Sequence, residues 1–159
     1  MPGKVIDNQW WQSFVLAAPR TGKLAVTRKD GSPHVTPVWV DLDGGTVVFT
    51  ARADSVKGRA MLREGRIAIC FDDDRPPFAF VLITGDAEID DHAGNVRRWM
   101  HRIAARYLGE ERAQEWVDRV CVPGEVVVRV ADATVIGQAG VVDSLLASPP
   151  PALEKPAVP

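Results

Sequence analysis

The sequence contains few of the residues that build metal centres, disulfide frameworks and histidine-based active sites. Its 159 residues include two cysteines and three histidines. Cys70 and Cys121 form no CxxC pair, and the histidines add no spacing typical of a zinc site. No Ser/His/Asp or Cys/His arrangement for nucleophilic catalysis is recognisable. We therefore expect no metal site and no catalytic side chain.

An excess of basic charge and a long apolar run are also absent from the sequence. The formal net charge is −2, which provides no basic field for nucleic-acid binding. The longest uninterrupted apolar stretch, Phe78 to Ile83, is far too short to span a membrane. The opening MPGKVIDNQWW lacks the apolar core of a signal peptide. We expect a cytoplasmic protein that binds neither nucleic acid nor membrane.

The composition is that of one ordinary globular domain. Hydrophobic residues make up 46% of the chain and charged residues 25%. A chain of this length can bury a self-sufficient core. We assign residues 1–140 to a single folded domain. Residues 141–159 include a Pro-Pro-Pro run, which predicts a disordered tail.

Hydrophobic periodicity predicts a mainly β chain with peripheral helices (α+β). The predicted strands cover residues 23–29, 34–42, 46–50, 66–71, 78–89 and 125–136, and Gly85 is expected to mark a bulge or bend. Tight turns join the first three strands, which are expected to form an antiparallel meander. Helices are predicted over residues 7–17, 55–63, 92–108 and 110–120, with tryptophans 10, 11, 99 and 116 as packing residues. This order favours a closed or partly closed antiparallel barrel.

The segment from Thr50 to Arg59 is the most informative part of the chain for chemistry. A strand ends at Thr50, a short polar connection follows, and a helix begins near Ser55. Helix N-termini favour anions, and Lys57 and Arg59 add cationic groups there. The Gly-rich loop of a Walker motif is absent. The residues alone leave two interpretations open, a phosphate site and a solvated basic first turn.

Four stretches of sequence occur in an order typical of one protein family. They are DGSPHVTPVW at 30–39, TVVFTARADSVKG at 46–58, VLITGDAEI at 81–89 and RYLG at 106–109. Together they resemble the pyridoxamine 5′-phosphate oxidase-like split β-barrels, and in particular the F420-dependent (deazaflavin) oxidoreductases of the B type. The resemblance covers roughly residues 12–140. It implies a homodimeric split antiparallel β-barrel of the FMN/F420-binding type.

The resemblance also implies a cofactor site at the interface between two subunits. Its phosphate contacts would come from Ser55 and Lys57, with Gly58 and Arg59 in the same helix start. Its ring contacts would come from the second and third strands, at His34, Thr36, Pro37, Val38, Trp39, Thr50 and Ala51. Phe78 is expected to cover the ring from the second subunit.

The implied function is a coenzyme F420-dependent reductase that transfers hydride from the reduced deazaflavin to an electron-poor small organic substrate. One alternative is an FMN-binding oxidase or flavin reductase, and another is a non-catalytic F420 or FMN carrier. Arg52 and Arg59 would suit the polyglutamate tail of F420, which FMN lacks. Compared with true pyridoxamine phosphate oxidases, we expect the C-terminal substrate-binding segment to be missing. A haem-degrading relative is disfavoured because no histidine has a ligand context.

Overall fold

Seven strands and four helices make up residues 7–142, the part of the chain that the computed structural model describes. The strands are β1 Gly22–Thr27, β2 Pro33–Val38, β3 Val40–Asp43, β4 Thr46–Arg52, β5 Arg66–Asp73, β6 Ala79–Asp90 and β7 Glu125–Ala139. The helices are α1 Asn8–Leu16, α2 Val56–Glu64, α3 Ala93–Leu108 and α4 Glu110–Val120. Within these residues no helix has both the length and the apolar character that a membrane span needs. Most of the expected tail, residues 143–159, lies outside the described residues.

The strands form one curled antiparallel sheet in the order β2-β1-β5-β6-β7-β4-β3. The two edge strands, β2 and β3, are consecutive in the chain and are separated by Trp39 alone. The sheet must therefore curl until its two edges meet at that residue. This half-barrel confirms the predicted split β-barrel fold. The expected irregularity at Gly85 is also confirmed, because the β6–β7 register shifts between Thr84 and Asp86.

The predicted single strand over 34–42 is wrong, because the structure has two strands there, although both antiparallel pairings of the predicted meander are present. The chain bends at Trp39, so that β2 pairs with β1 whereas β3 pairs with β4 at the opposite edge of the sheet. Alternation of side chains continues through the bend, and the pattern alone therefore resembles one strand. The Val40 N–H marks the break, since it donates to the Tyr107 hydroxyl at 3.1 Å rather than to a neighbouring strand.

Two apolar clusters lie on opposite sides of β4 and β7. The larger fills the half-barrel and includes Phe49, Ile69 and Phe71, with α1 and α2 contributing Trp11 and Met61. The smaller lies between the outer side of the same strands and α3, and its buried members are Val48, Val96, Trp99, Ile103 and Val127. Burial on both faces explains why β4 and β7 contain continuous valine runs. It also fixes α3 over these strands.

A buried carboxylate ties the bend at Trp39 to α3. Asp41 lies 2.6 Å from Nε of Arg102 and 3.8 Å from Nε of Arg106. Arg106 also donates to the carbonyl of Val40. On the same helix, the Tyr107 hydroxyl donates to the carbonyl of Arg20 at 2.6 Å. Arg106 and Tyr107 of the RYLG stretch thus anchor Val40, on the β3 side of the bend, and Arg20, before β1, to one helix.

We expect Asp41→Asn to lower the free energy of unfolding by about 2 kcal/mol, because it removes the buried negative charge that pairs with Arg102 and with the mostly buried Arg106. Asp43→Asn is the matched control on the same strand. Asp43 also pairs with an arginine, but its side chain is 44% exposed compared with 8% for Asp41. Its replacement should cost less than about 1 kcal/mol. Urea unfolding measures both, and equal losses would contradict the assigned role of Asp41.

Candidate functional site

A cavity of about 330 Å³ lies between the outer side of β4 and β7 and the helices α3 and α4. Its lining comes from six elements and comprises Pro37, Val38, Trp39, Thr50, Lys57, Met100, Ile103, Trp116, Val120 and Glu125. The sequence-predicted residues among them are Pro37, Val38, Trp39, Thr50 and Lys57. Residues predicted from three separate segments therefore meet at one cavity, which we take as the candidate site.

Lys57 supplies the cation of this cavity from the first turn of α2. Ser55 caps that helix: its hydroxyl accepts from the Gly58 N–H at 3.1 Å and donates to the Arg52 carbonyl at 2.7 Å. The first amides of a helix lack an intrahelical acceptor and favour an anion. Within residues 7–142, the side chain of Lys57 makes no hydrogen bond and no salt bridge, and the residue is half-buried. Its ammonium group is therefore available to a ligand.

Gly58 allows α2 to pack closely against the end of β4. A Cβ atom at this position would lie 2.1 Å from the Arg52 carbonyl oxygen and 2.6 Å from that of Ala53. Packing thus accounts for this glycine. A direct contact with a cofactor, as the sequence suggested, stays a prediction.

The two other cations predicted for the site are held by the β4–α2 connection. Arg52 donates to both carboxylate oxygens of Asp54, at 3.0 and 2.9 Å. These bonds hold the pKa of Asp54 below its usual range. Arg59 is exposed and donates to the backbone carbonyl of Asp54. Neither guanidinium lines the cavity.

Glu125 is the charged group of the cavity that sequence reasoning missed. It begins β7 opposite Arg52, and its side chain is 11% exposed. Its carboxylate lies 3.8 Å from Nη1 of Arg52. Burial raises the pKa of Glu125, whereas the positive charges of Arg52 and Lys57 oppose that shift. In the sequence, Glu125 is a single charged residue between a Pro-Gly turn and a valine run, and this pattern could have identified it.

An aromatic stack forms one wall of the cavity. The Trp39 ring lies 5.0 Å from that of Tyr107 at an interplanar angle of 7°, and 5.3 Å from that of Trp116 at 40°. Trp116 packs against Trp39, as predicted, and its exposed part also lines the cavity. Helical spacing indicates which face of α4 it occupies, but not what that face meets. Flat apolar walls of this kind suit a planar ring.

The remaining predicted residues do not line the cavity. His34 lies on β2 with Nδ1 3.1 Å from Nη2 of Arg28, and Thr36 pairs with Leu24. Ala51 is buried in the barrel core, on the opposite side of β4 from Thr50.

Phe78 lies at the far end of the β6–β7 ribbon from the cavity. It precedes Ala79, which pairs with Ala139 at the end of β7, whereas Glu125 begins that strand. The ribbon is thus about 45 Å long at roughly 3.3 Å per residue. Phe78 therefore does not reach the cavity of its own chain.

A larger groove, of about 890 Å³, lies on the other side of the β4–α2 connection. It is lined by residues such as Leu62, Ile89, Val96 and Val122, and Glu125 borders both spaces. The cavity containing Lys57 remains the better candidate, because it joins a free cation to the predicted residues. Within residues 7–142, no group of three or more His, Cys, Asp or Glu side chains is placed to hold a metal ion.

We expect Gly58→Ala to destabilise the fold by about 1–3 kcal/mol, because the added methyl group meets backbone rather than a flexible side chain. Gly94→Ala in α3 is the matched control. Its Cβ would meet the end of the His92 side chain at 3.3 Å. That substitution should be neutral or stabilise by up to about 1 kcal/mol, as alanine does in helices. Thermal unfolding compares them, and an unchanged midpoint for Gly58→Ala would refute the close packing.

Solved structures similar to this chain share its fold. A conserved hypothetical protein from Mycobacterium tuberculosis superposes with a TM-score of 0.73 at 23% identity, covering 99% of this chain and 98% of that chain. A protein named F420 reductase gives a TM-score of 0.59 at 23% identity, covering 77% and 94%. A heme binding protein from Mycobacterium smegmatis gives 0.57 at 17% identity, covering 85% and 59%.

The sequence itself matches a known family over most of its length. No curated protein sequence matches this chain. The family described as pyridoxamine 5′-phosphate oxidase matches residues 11–134. These residues include β1 to β6, most of α1, all of α2 to α4 and most of β7. The chain therefore belongs to the pyridoxamine 5′-phosphate oxidase family, whose split-barrel fold it has.

Proposed function

We propose that this protein is a coenzyme F420-dependent reductase acting on an electron-poor small organic substrate. One observation carries the proposal: the unpaired ammonium of Lys57 shares a cavity with the predicted ring-contact residues Pro37, Val38, Trp39 and Thr50. The named F420 reductase among proteins of the same fold supports the choice of cofactor.

The residues present fit a cofactor that joins a phosphate to a planar ring. Lys57 and the first amides of α2 can donate to phosphate oxygens, and charge-assisted bonds of this kind each contribute about 1.5–3 kcal/mol. Trp39 and Trp116 offer flat apolar surface for the ring. Glu125 is the opposing feature, since its carboxylate would repel an anion in the same cavity.

The reaction would use this chain for binding and orientation rather than for proton transfer. When bound, a reduced deazaflavin supplies a hydride to the substrate. The apolar residues from α3 and α4 would exclude water from the ring, and Lys57 would fix its position through the phosphate. The proton for the product can come from solvent, in keeping with the lack of a predicted catalytic side chain.

We expect Lys57→Ala to weaken F420 binding at least tenfold, because each charge-assisted bond lost costs about 1.4 kcal/mol or more. Lys29→Ala, an exposed residue of the β1–β2 turn, removes the same charge away from the cavity and should bind normally. Fluorescence titration with F420 and with FMN measures both variants. Preference for FMN would favour the oxidase or flavin-reductase alternative, and binding without turnover on a model enone would favour a carrier. If neither cofactor binds, the proposed site is wrong.

We further propose that two copies assemble through the outer face of β1, β2, β5, β6 and β7. The register places the side chains of Val35, Ala25 and Ala68 in one row and those of Cys70, Leu82 and Ile136 in another. Thr84 and Thr134 extend the first row and Lys23 belongs to the second, so the face is largely apolar. Val35 is 61% exposed and Ile136 is 40% exposed. An apolar face of this kind suits a second copy. Pro37 belongs both to this face and to the cavity lining, so the partner's Phe78 could cover the ring.

We expect Ile136→Asp to shift the protein from dimer to monomer, because two buried carboxylates would face each other across a symmetric interface. Leu62→Asp is the control, since Leu62 is an exposed leucine on α2, outside this face. Sedimentation velocity at micromolar concentration distinguishes the species. A dimer that tolerates Ile136→Asp, or a monomeric parent protein, would contradict the assignment.

A further inference from the structure

The charges around Lys57 nearly cancel. Within residues 7–142, the ionisable side chains lining the cavity are Lys57 and Glu125, which have opposite charges. Arg52, the next cation, donates through Nε and Nη2 to Asp54, and its Nη1 lies 3.8 Å from the Glu125 carboxylate, which it partly compensates. Arg59 is exposed and lies outside the lining. The cavity therefore offers a ligand one cation, whose field is opposed by a half-buried carboxylate.

This balance distinguishes between two classes of phosphate ester. A phosphate monoester carries a charge of about −1.5 to −2 at pH 7, because its second pKa is near 6. A phosphodiester has no second ionisation and carries a single negative charge. Each additional negative charge on a ligand is attracted by Lys57 but repelled by Glu125. At the phosphate group itself, FMN ends in a monoester, whereas F420 contains a phosphodiester and carries its remaining negative charges on the polyglutamate tail.

We infer that Glu125 is a specificity-determining residue, which disfavours phosphate monoesters in the Lys57 cavity and so selects a phosphodiester cofactor. This inference rests on the proposed function. It explains why a buried carboxylate faces a site otherwise suited to an anion. In a partly buried site, where the effective dielectric constant is about 20, one charge at several ångströms is sufficient to change binding tenfold.

The decisive experiment measures dissociation constants for F420, FMN and riboflavin with the parent protein, Glu125→Gln and Glu64→Gln. Titrations at pH 8 keep FMN doubly charged. Riboflavin has no phosphate and reports any general change of the cavity. Glu64→Gln removes the same charge from the exposed end of the helix that carries Lys57. Glu125→Thr, which suits a strand, serves as a second variant should the glutamine protein not fold.

We expect FMN to bind to the Glu125→Gln variant at least about tenfold more tightly than to the parent protein. F420 should gain only about threefold, because its phosphodiester carries about half the charge of the FMN phosphate, and riboflavin binding should not change. An unchanged ratio of the FMN and F420 constants would overturn the inference while leaving the proposed function intact. An equal gain for riboflavin would also overturn it. A parent protein that binds neither cofactor would refute the proposed function, and the inference with it.

Discussion

The bend at Trp39 is the constraint on which the rest of the structure depends. One residue separates the two edge strands of the sheet, so the half-barrel closes through the chain itself. Asp41, whose side chain is almost fully buried, holds the bend by pairing with Arg102 and Arg106 of α3. Removing this carboxylate would leave Arg106, whose side chain is mostly buried, without its counter-charge. The same contact fixes α3 over β4 and β7, and the candidate cavity exists only because these elements are held together.

Most of the helices and strands could be predicted from the sequence because their signals are local. The apolar stripe of α3 and the glycine at its end are features of one segment. Strand pairing is different, since it depends on distant partners. The hydroxyl that accepts from the Val40 N–H comes from Tyr107, 67 residues away. Nothing within residues 34–42 indicates that partner, and a continuous alternation therefore predicted one strand where the structure has two.

The same distinction between local and distant signals applies to the site. Ser55 and Lys57 were predicted because a helix start is a local feature, and the structure has Ser55 at the N-cap and Lys57 in the first turn of α2. Thr50 and Ala51 were both predicted, although consecutive residues of a strand point to opposite faces, and only Thr50 lines the cavity. Glu125 and Trp116 come from late segments that the tertiary fold brings to the cavity. Neither has a local pattern that differs from an ordinary strand start or helix face.

Lys57 and Glu125 link the stability of the cavity to its selectivity. A cation in the first turn of a helix is opposed by the helix dipole. Glu125 offsets this cost, because its carboxylate lies close enough to be affected by the charge of Lys57. An anionic ligand can offset the same cost, but it then meets repulsion from Glu125. The carboxylate that stabilises the lysine must therefore weaken anion binding, and it must weaken the binding of a dianion more than that of a monoanion. Selectivity of this kind depends on the charge of the ligand and not on the shape of the cavity.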